Sequence, residues 1–236
     1  MTAALDNIRA EIDALDADLR AKLLRRAELV ADIGAAKAAS GTQGAPLRPV
    51  REMQQMQALR AWQQAEAPML SEAGLLAIWR EIIGMALAQQ GGITIAASAQ
   101  AMAAARAHYG ASLSYETVSY DNFSGTLNGL AENGRMIAVL SVAEAVAPPA
   151  GVGIFARLPL LGAATALCYA ALPKENMPEE NMGDDAVFLV RRAAPLPDDI
   201  MVYQGADYVL VETAATNNMA DDDAIWGRYI TLGASL

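Results

Sequence analysis

Apolar residues recur at Leu5, Ile12, Leu19 and Ile33 in steps of seven, and Ile8, Leu15, Leu23 and Val30 fill the three-and-four spacing between them. The pattern predicts one helix over residues 5–40, about 50 Å long at the α-helical rise. Such a helix cannot cover its own stripe and needs a partner helix along it. The heptad step fails once, at position 26, which is an arginine. Lys37 follows eleven residues later. At about 100° per residue that is a rotation of roughly 20° modulo a full turn, so both cations point the same way, with about 16 Å between their backbones.

Two readings of these cations stand side by side. Arginine in a seam snorkels to water or pairs with a carboxylate. Alternatively, two long side chains leaning toward one another grip a small anion. Unpaired burial costs several kcal/mol, about what only a ligand or a protein carboxylate offsets. The nearest carboxylates, Glu28 and Asp32, point off the seam, which favours a ligand. Arg25 lies about 100° away and is expected in solvent. Arg9 flanks the seam about 25 Å from Arg26, beyond side-chain reach. If Arg9 serves the same kind of site, it does so in a second copy, in an antiparallel intertwined dimer.

The rest of the chain sets the context. "SGTQGAP" (Ser40–Pro46) breaks the first helix. A second helix is expected from Pro49, suited to a first turn, to about Ala65. A third runs from Ser71, a candidate N-cap, to Gln90, and Gly91–Gly92 closes it. Beyond the glycines the period changes. Residues 93–99, 113–120, 136–142, 152–158, 164–172, 186–192 and 208–213 read as strands, with helices at Gln100–Tyr109 and Asn122–Ala131. The β-α-β-α-β order suggests an α/β sheet. The fold class expected is therefore multidomain, α plus α/β. A three-helix, intertwined-dimer domain occupies residues 1–91 and a small α/β domain residues 92–236, with Pro173–Asp185 an acidic loop.

Composition narrows the function classes. Of 236 residues, 54% are apolar and 19% charged, as in a well-ordered protein. No run of about 18 apolar residues occurs, so no membrane span is expected. The acidic, amphipathic N-terminus does not read as a signal peptide, and a cytoplasmic protein is expected. The single Cys168 excludes disulfides and cysteine metal sites, and the single His108 excludes His-rich ones. Residues 1–90 hold 10 Lys+Arg against 11 Asp+Glu; the remainder holds 7 against 16. The acidic remainder argues against nucleic acid, and anion chemistry belongs in the first part.

The run "LDNIRAEIDALDADLRAKLLRRAELVADIGAAK", followed by "RPVREMQQMQAL" and "IWREIIGMALAQQ", resembles the all-helical AroQ-type chorismate mutases, above all the mutase domain of bifunctional mutase–prephenate dehydratases. The likeness covers about residues 5–90. It implies rearrangement of chorismate to prephenate, in phenylalanine and tyrosine biosynthesis, without cofactor, metal, covalent intermediate or acid–base step. Catalysis then consists of holding the substrate compact and stabilising charge on the breaking ether oxygen. By the resemblance, Arg26 and Arg51, with Arg9 from a second copy, clamp the two carboxylates, for which the guanidinium fork is suited. Lys37 and Gln90 donate to the ether oxygen, and Glu52 accepts from the ring hydroxyl. Arg48 stands in a stretch of variable length among relatives and is either a lid cation or exposed. Ala86 stands where relatives often carry serine, which removes a secondary hydrogen bond. Residues 93–110 loosely resemble the opening strand and helix of a dehydratase domain. The glycine-rich turn and the Thr-Arg-Phe element are missing, and "VETAATNNM" (Val211–Met219) is the nearest stretch. A reduced domain without dehydratase activity is expected. It either binds an aromatic amino acid or prephenate, or only stabilises the dimer. Two other functions remain open on these residues: an isochorismate pyruvate lyase on the same scaffold, and a non-catalytic regulatory or dimerisation protein.

Overall fold

A computed structural model describes residues 2–39, 47–171, 186–214, 219–220 and 222–232. The turn expected at Ser40–Pro46, the loop at Pro173–Asp185 and part of Val211–Met219 lie outside the described residues. The chain divides into two compact units: Met1–Gly44 with Gln89–Gly91, and Ala45–Ala88 with Gly92–Leu236. This division cuts across the boundary expected at Gly91–Gly92, because the second and third helices share a core with the sheet.

The first unit is built on α1, Thr2–Ala39, one unbroken helix. Its seam residues Leu5, Ile8, Ile12, Leu15, Leu19, Leu23 and Ile33 are exposed, Leu15 and Leu19 by 62% and 61%. Among the residues of α1 whose burial is described, only Val30, at 8%, is buried. The sequence expectation of a stripe that one helix cannot cover matches this exposure. No helix among the described residues is long and apolar enough to cross a membrane.

In the second unit, α2 (Pro49–Glu66) starts with proline at its first position, where no amide hydrogen is needed. α3 (Glu72–Gln89) starts on Ser71, whose hydroxyl accepts the Gly74 amide at 3.2 Å. It ends on Gly91 and Gly92, both at positive φ, with the Gly92 amide donating to the Leu87 carbonyl. That is the glycine closure expected from the sequence.

The strands are β1 (Thr94–Ser98), β2 (Ser114–Val118), β3 (Met136–Ser141), β4 (Val152–Leu158), β5 (Ala166–Ala171), β6 (Ala186–Arg192), β7 (Ile200–Gln204), β8 (Val209–Thr213) and β9 (Ala224–Ile230). They form one sheet in the order β2-β1-β3-β5-β4-β9-β6-β8-β7. β2, β1 and β3 are parallel, joined through α4 (Met102–Tyr109) and α5 (Phe123–Leu130). Apart from a single parallel pairing between β4 and β9, the other ladders are antiparallel. β7 and β9 were not among the expected strands. β9 carries Gly227 at its centre, which weakens the strand signal. The glycine is required there, since a Cβ would stand 2.3 Å from the Ile154 carbonyl oxygen of β4.

Side chains alternate between two cores, as the strand period demands. Ile137, Val139, Ala166 and Cys168 face one side, where they join Met53, Met56 and Leu59 of α2, Leu76, Ile83 and Leu87 of α3, and Ala105 of α4. Ala138, Leu140, Leu167 and Tyr169 face the other, under Phe123, Leu127 and Leu130 of α5. α2 is also pinned to the chain after β9. Gln57 donates to the Thr231 carbonyl at 3.1 Å, and Arg60 donates to the Leu232 carbonyl. The apolar faces of α2 and α3 thus find a sheet within their own chain, which the helical pattern alone did not reveal.

Candidate functional site

On α1, the residues less exposed than the rest are Arg26, Ala27, Val30, Gly34 and Lys37. They make one stripe, because 26, 30, 34 and 37 follow helical spacing. The two cations singled out by the sequence therefore share the most sheltered face of the helix. Burial pulls the Arg26 guanidinium below its ordinary value, as expected of a charge partly withdrawn from water. The charges on α1 other than Arg26 and Lys37 are exposed. Arg25 pairs with Glu28 at 2.9 Å and Arg9 with Asp6 at 3.3 Å, both exposed. Exposed pairs of this kind contribute little, about 0–1 kcal/mol.

The same unit includes Gln89–Gly91. The Gln89 side-chain amide donates to the Ala27 carbonyl at 2.9 Å, beside Arg26 in sequence. The half-buried Gln90 follows directly. The glutamine pair is thus tethered to the turn of α1 that carries Arg26. Gln89 had no part in the sequence reading.

In the second unit the expected residues stand on the first turn of α2. Arg48 is its half-buried N-cap residue, with φ −132° and ψ 72°, and Arg51 is exposed. The Glu52 amide donates to the Arg48 carbonyl at 2.9 Å. The Glu52 side chain is buried, and Arg80 Nη1 of α3 donates to its Oε2 at 2.9 Å. Burial raises the Glu52 carboxyl, while Arg80 and a backbone hydrogen bond from Arg48 hold it down. Glu52 is therefore engaged inside the unit. Arg80 was missed by sequence reasoning, although the signal was available. It sits in the stripe Leu76, Arg80, Ile83, Leu87 of α3, a cation in apolar register like Arg26. Ala86 is buried.

His108 of α4 is buried in the same neighbourhood, its ring edge-on to Tyr109 at 4.6 Å. Burial, then the charge of Arg80, hold its imidazole well below 6.5. The folded chain keeps it neutral, whereas the unfolded chain takes up a proton as pH drops past 6.5. Its contribution to stability is present above pH 6.5 and is lost as pH falls toward the folded value. Denaturation followed between pH 7 and 5 should show a slope of up to about 1.4 kcal/mol per pH unit from this one group. His108→Gln should remove that component; an unchanged slope would contradict the assignment. Cys168, expected as a small buried hydrophobe, lies in the core with its thiol pushed up to about 12, chiefly by burial.

The second unit also holds a cleft of about 380 Å³ lined by Arg192, Leu196, Pro197, Asp198, Asp199, Thr213 and Ala214. Arg192 is bound there by Asp199 at 3.1 Å and by Asp223. One cation against several carboxylates disfavours an anionic ligand. The buried Arg157–Glu212 pair (2.7 Å), completed by the Tyr229 hydroxyl donating to Glu212 at 2.8 Å, joins β4, β9 and β8.

Residues 8–91 match the sequence model of the family chorismate mutase type II. The chain carries a domain of that family over this segment, and the family is one of isomerases. No curated protein and no solved structure matches the chain.

Proposed function

We propose that the chain is a chorismate mutase that converts chorismate to prephenate on the way to phenylalanine and tyrosine, working as a homodimer paired along α1. The observation that carries this reading is the shared sheltered stripe of Arg26 and Lys37 on an otherwise exposed helix, inside the segment that matches the family. Two carboxylates on the substrate call for guanidinium forks, and Arg26 and Arg51 supply them, with Arg48 beside Arg51 on the same turn. Arg9, about 25 Å from Arg26 along the helix, acts in the site of a second copy. Lys37 and Gln90 donate to the ether oxygen as its bond breaks, the moment at which preset donors accelerate the reaction most. Glu52, which the resemblance assigns to the ring hydroxyl, has its carboxylate held by Arg80. Residues 1–91 are the catalytic segment and residues 92–236 a supporting one.

The reading is tested by supplying the full chain with chorismate and, separately, isochorismate. Prephenate from chorismate is the expected product. Pyruvate released from isochorismate, with chorismate left intact, would assign the site to a lyase. No turnover of either would leave a non-catalytic, dimerising protein.

A further inference from the structure

A buried ion pair is a poor stabiliser, since apolar replacements of similar volume are often neutral or better. What such a pair supplies is direction. The Arg80–Glu52 pair, with side chains 6% and 11% exposed, has three connections that give direction a use. The Glu52 carboxylate accepts from Arg80 of α3 and from the Arg48 backbone at the start of α2. The Glu52 amide closes the first turn on the Arg48 carbonyl. Arg80 in turn acts electrostatically on His108 and Tyr109 of α4 and on Cys168 of β5. The remaining buried contacts of this part of α2 come from Leu47, Val50, Met53 and Met56. Apolar contacts, methionine above all, adapt to small rotations of a helix. A charged hydrogen bond from Arg80 Nη1 to a buried carboxylate, 2.9 Å long, tolerates such rotation less.

We infer that Arg80 and Glu52 are a positioning pair, which fixes the first turn of α2 and with it Arg48 and Arg51, so that the α/β body serves as the mount for the α2 cations. This inference rests on the mutase reading for its catalytic consequence but not for its structural one. The mount follows from the second unit alone, where α2, α3, α4 and β5 share one core.

The test compares the full-length parent with Glu52→Met/Arg80→Met, Glu52→Gln and Arg80→Lys. Measured quantities are the thermal midpoint, kcat and KM for chorismate, and hydrogen exchange of the amides at residues 50–54. The double methionine variant fills the same space without charge. It should keep a midpoint near the parent's, exchange the first-turn amides about tenfold faster, and raise KM about tenfold while kcat changes less, the pattern of lost uniform binding. Arg80→Lys, which keeps the charge but not the guanidinium, should show the same split more weakly and provides the comparison if the double variant does not fold. Parental KM and parental exchange in a folded variant would overturn the inference, leaving a pair that only fills the core. If the parent does not convert chorismate, the mutase reading fails, and exchange alone then judges the mount: faster first-turn exchange upholds it, unchanged exchange ends it.

Discussion

Lys37→Ala should lower kcat for chorismate by about 10²- to 10³-fold, the usual consequence of removing one preset donor from a developing oxyanion. The size of the effect follows from position. Lys37 is in the last turn of α1, half-buried, on the stripe it shares with Arg26 and Val30. An ammonium there faces less water than one on the open side of the helix, so its field on a bound anion is less screened. The same substitution has little leverage on folding. A cation near the C-terminus of a helix contributes about 0.3–1 kcal/mol through the helix dipole, and alanine is the best helix former. Circular dichroism of the variant should therefore overlay the parent's while activity collapses. A variant with unchanged kcat would mean that Lys37 faces no reacting oxygen.

Leu19→Asp should produce the other large effect, dissociation of the protein into single chains that have lost activity. Leu5, Ile8, Ile12, Leu15, Leu19 and Leu23 are exposed in the single chain although they carry the heptad pattern of a helix seam. Each leucine or isoleucine so exposed forgoes about 1.5–3 kcal/mol available on burial. Pairing with a second α1 recovers that for a run of residues at once. A carboxylate at position 19 stands mid-seam, where burying it unpaired costs several times what the leucine contributed, roughly enough to weaken association by more than 10²-fold. Sedimentation should show a shift from dimer to monomer. Activity should fall with it, because in the proposed pairing Arg9, exposed and about 25 Å from Arg26 along its own helix, serves the site of another copy. A monomeric parent, or a dimeric and active Leu19→Asp, would dismiss the pairing along α1.

The sequence spoke clearly where one residue type decides a local outcome. Pro49 and Ser71 mark helix starts, Gly91–Gly92 a helix end, and the apolar alternation from Thr94 to Ser141 the parallel strands β1, β2 and β3. It was silent where two distant segments decide. β9 escaped notice because Gly227 interrupts its pattern, and only the approach of β4 explains the glycine. Nor does periodicity tell a helix face which surface will cover it. The faces of α2 and α3 that bury Met56 and Ile83 read equally well as helix-bundle faces, yet they lie on the sheet. For the site, Arg26 and Lys37 were visible because a cation breaks an apolar stripe. Arg80 breaks the stripe of α3 in the same way and carried the same signal. The partner that gives it meaning, Glu52, is 28 residues away on another helix. Glu52 itself looked like an ordinary first-turn carboxylate until that contact was seen.

The most direct test of a catalytic site on α1 completed by a second copy is prephenate formation from chorismate by mixed subunits. Arg9→Ala and Arg26→Ala chains should each be inactive alone, since every site in either homodimer lacks one arginine. After exchange, half of the dimers pair unlike chains, and one of their two sites regains both arginines. The mixture should therefore recover about a quarter of the parent's rate, as two-fold symmetric sharing requires. No recovery from an exchanged mixture, with the parent active, would place each site within one chain. A parent that leaves chorismate unchanged would contradict the account at its root.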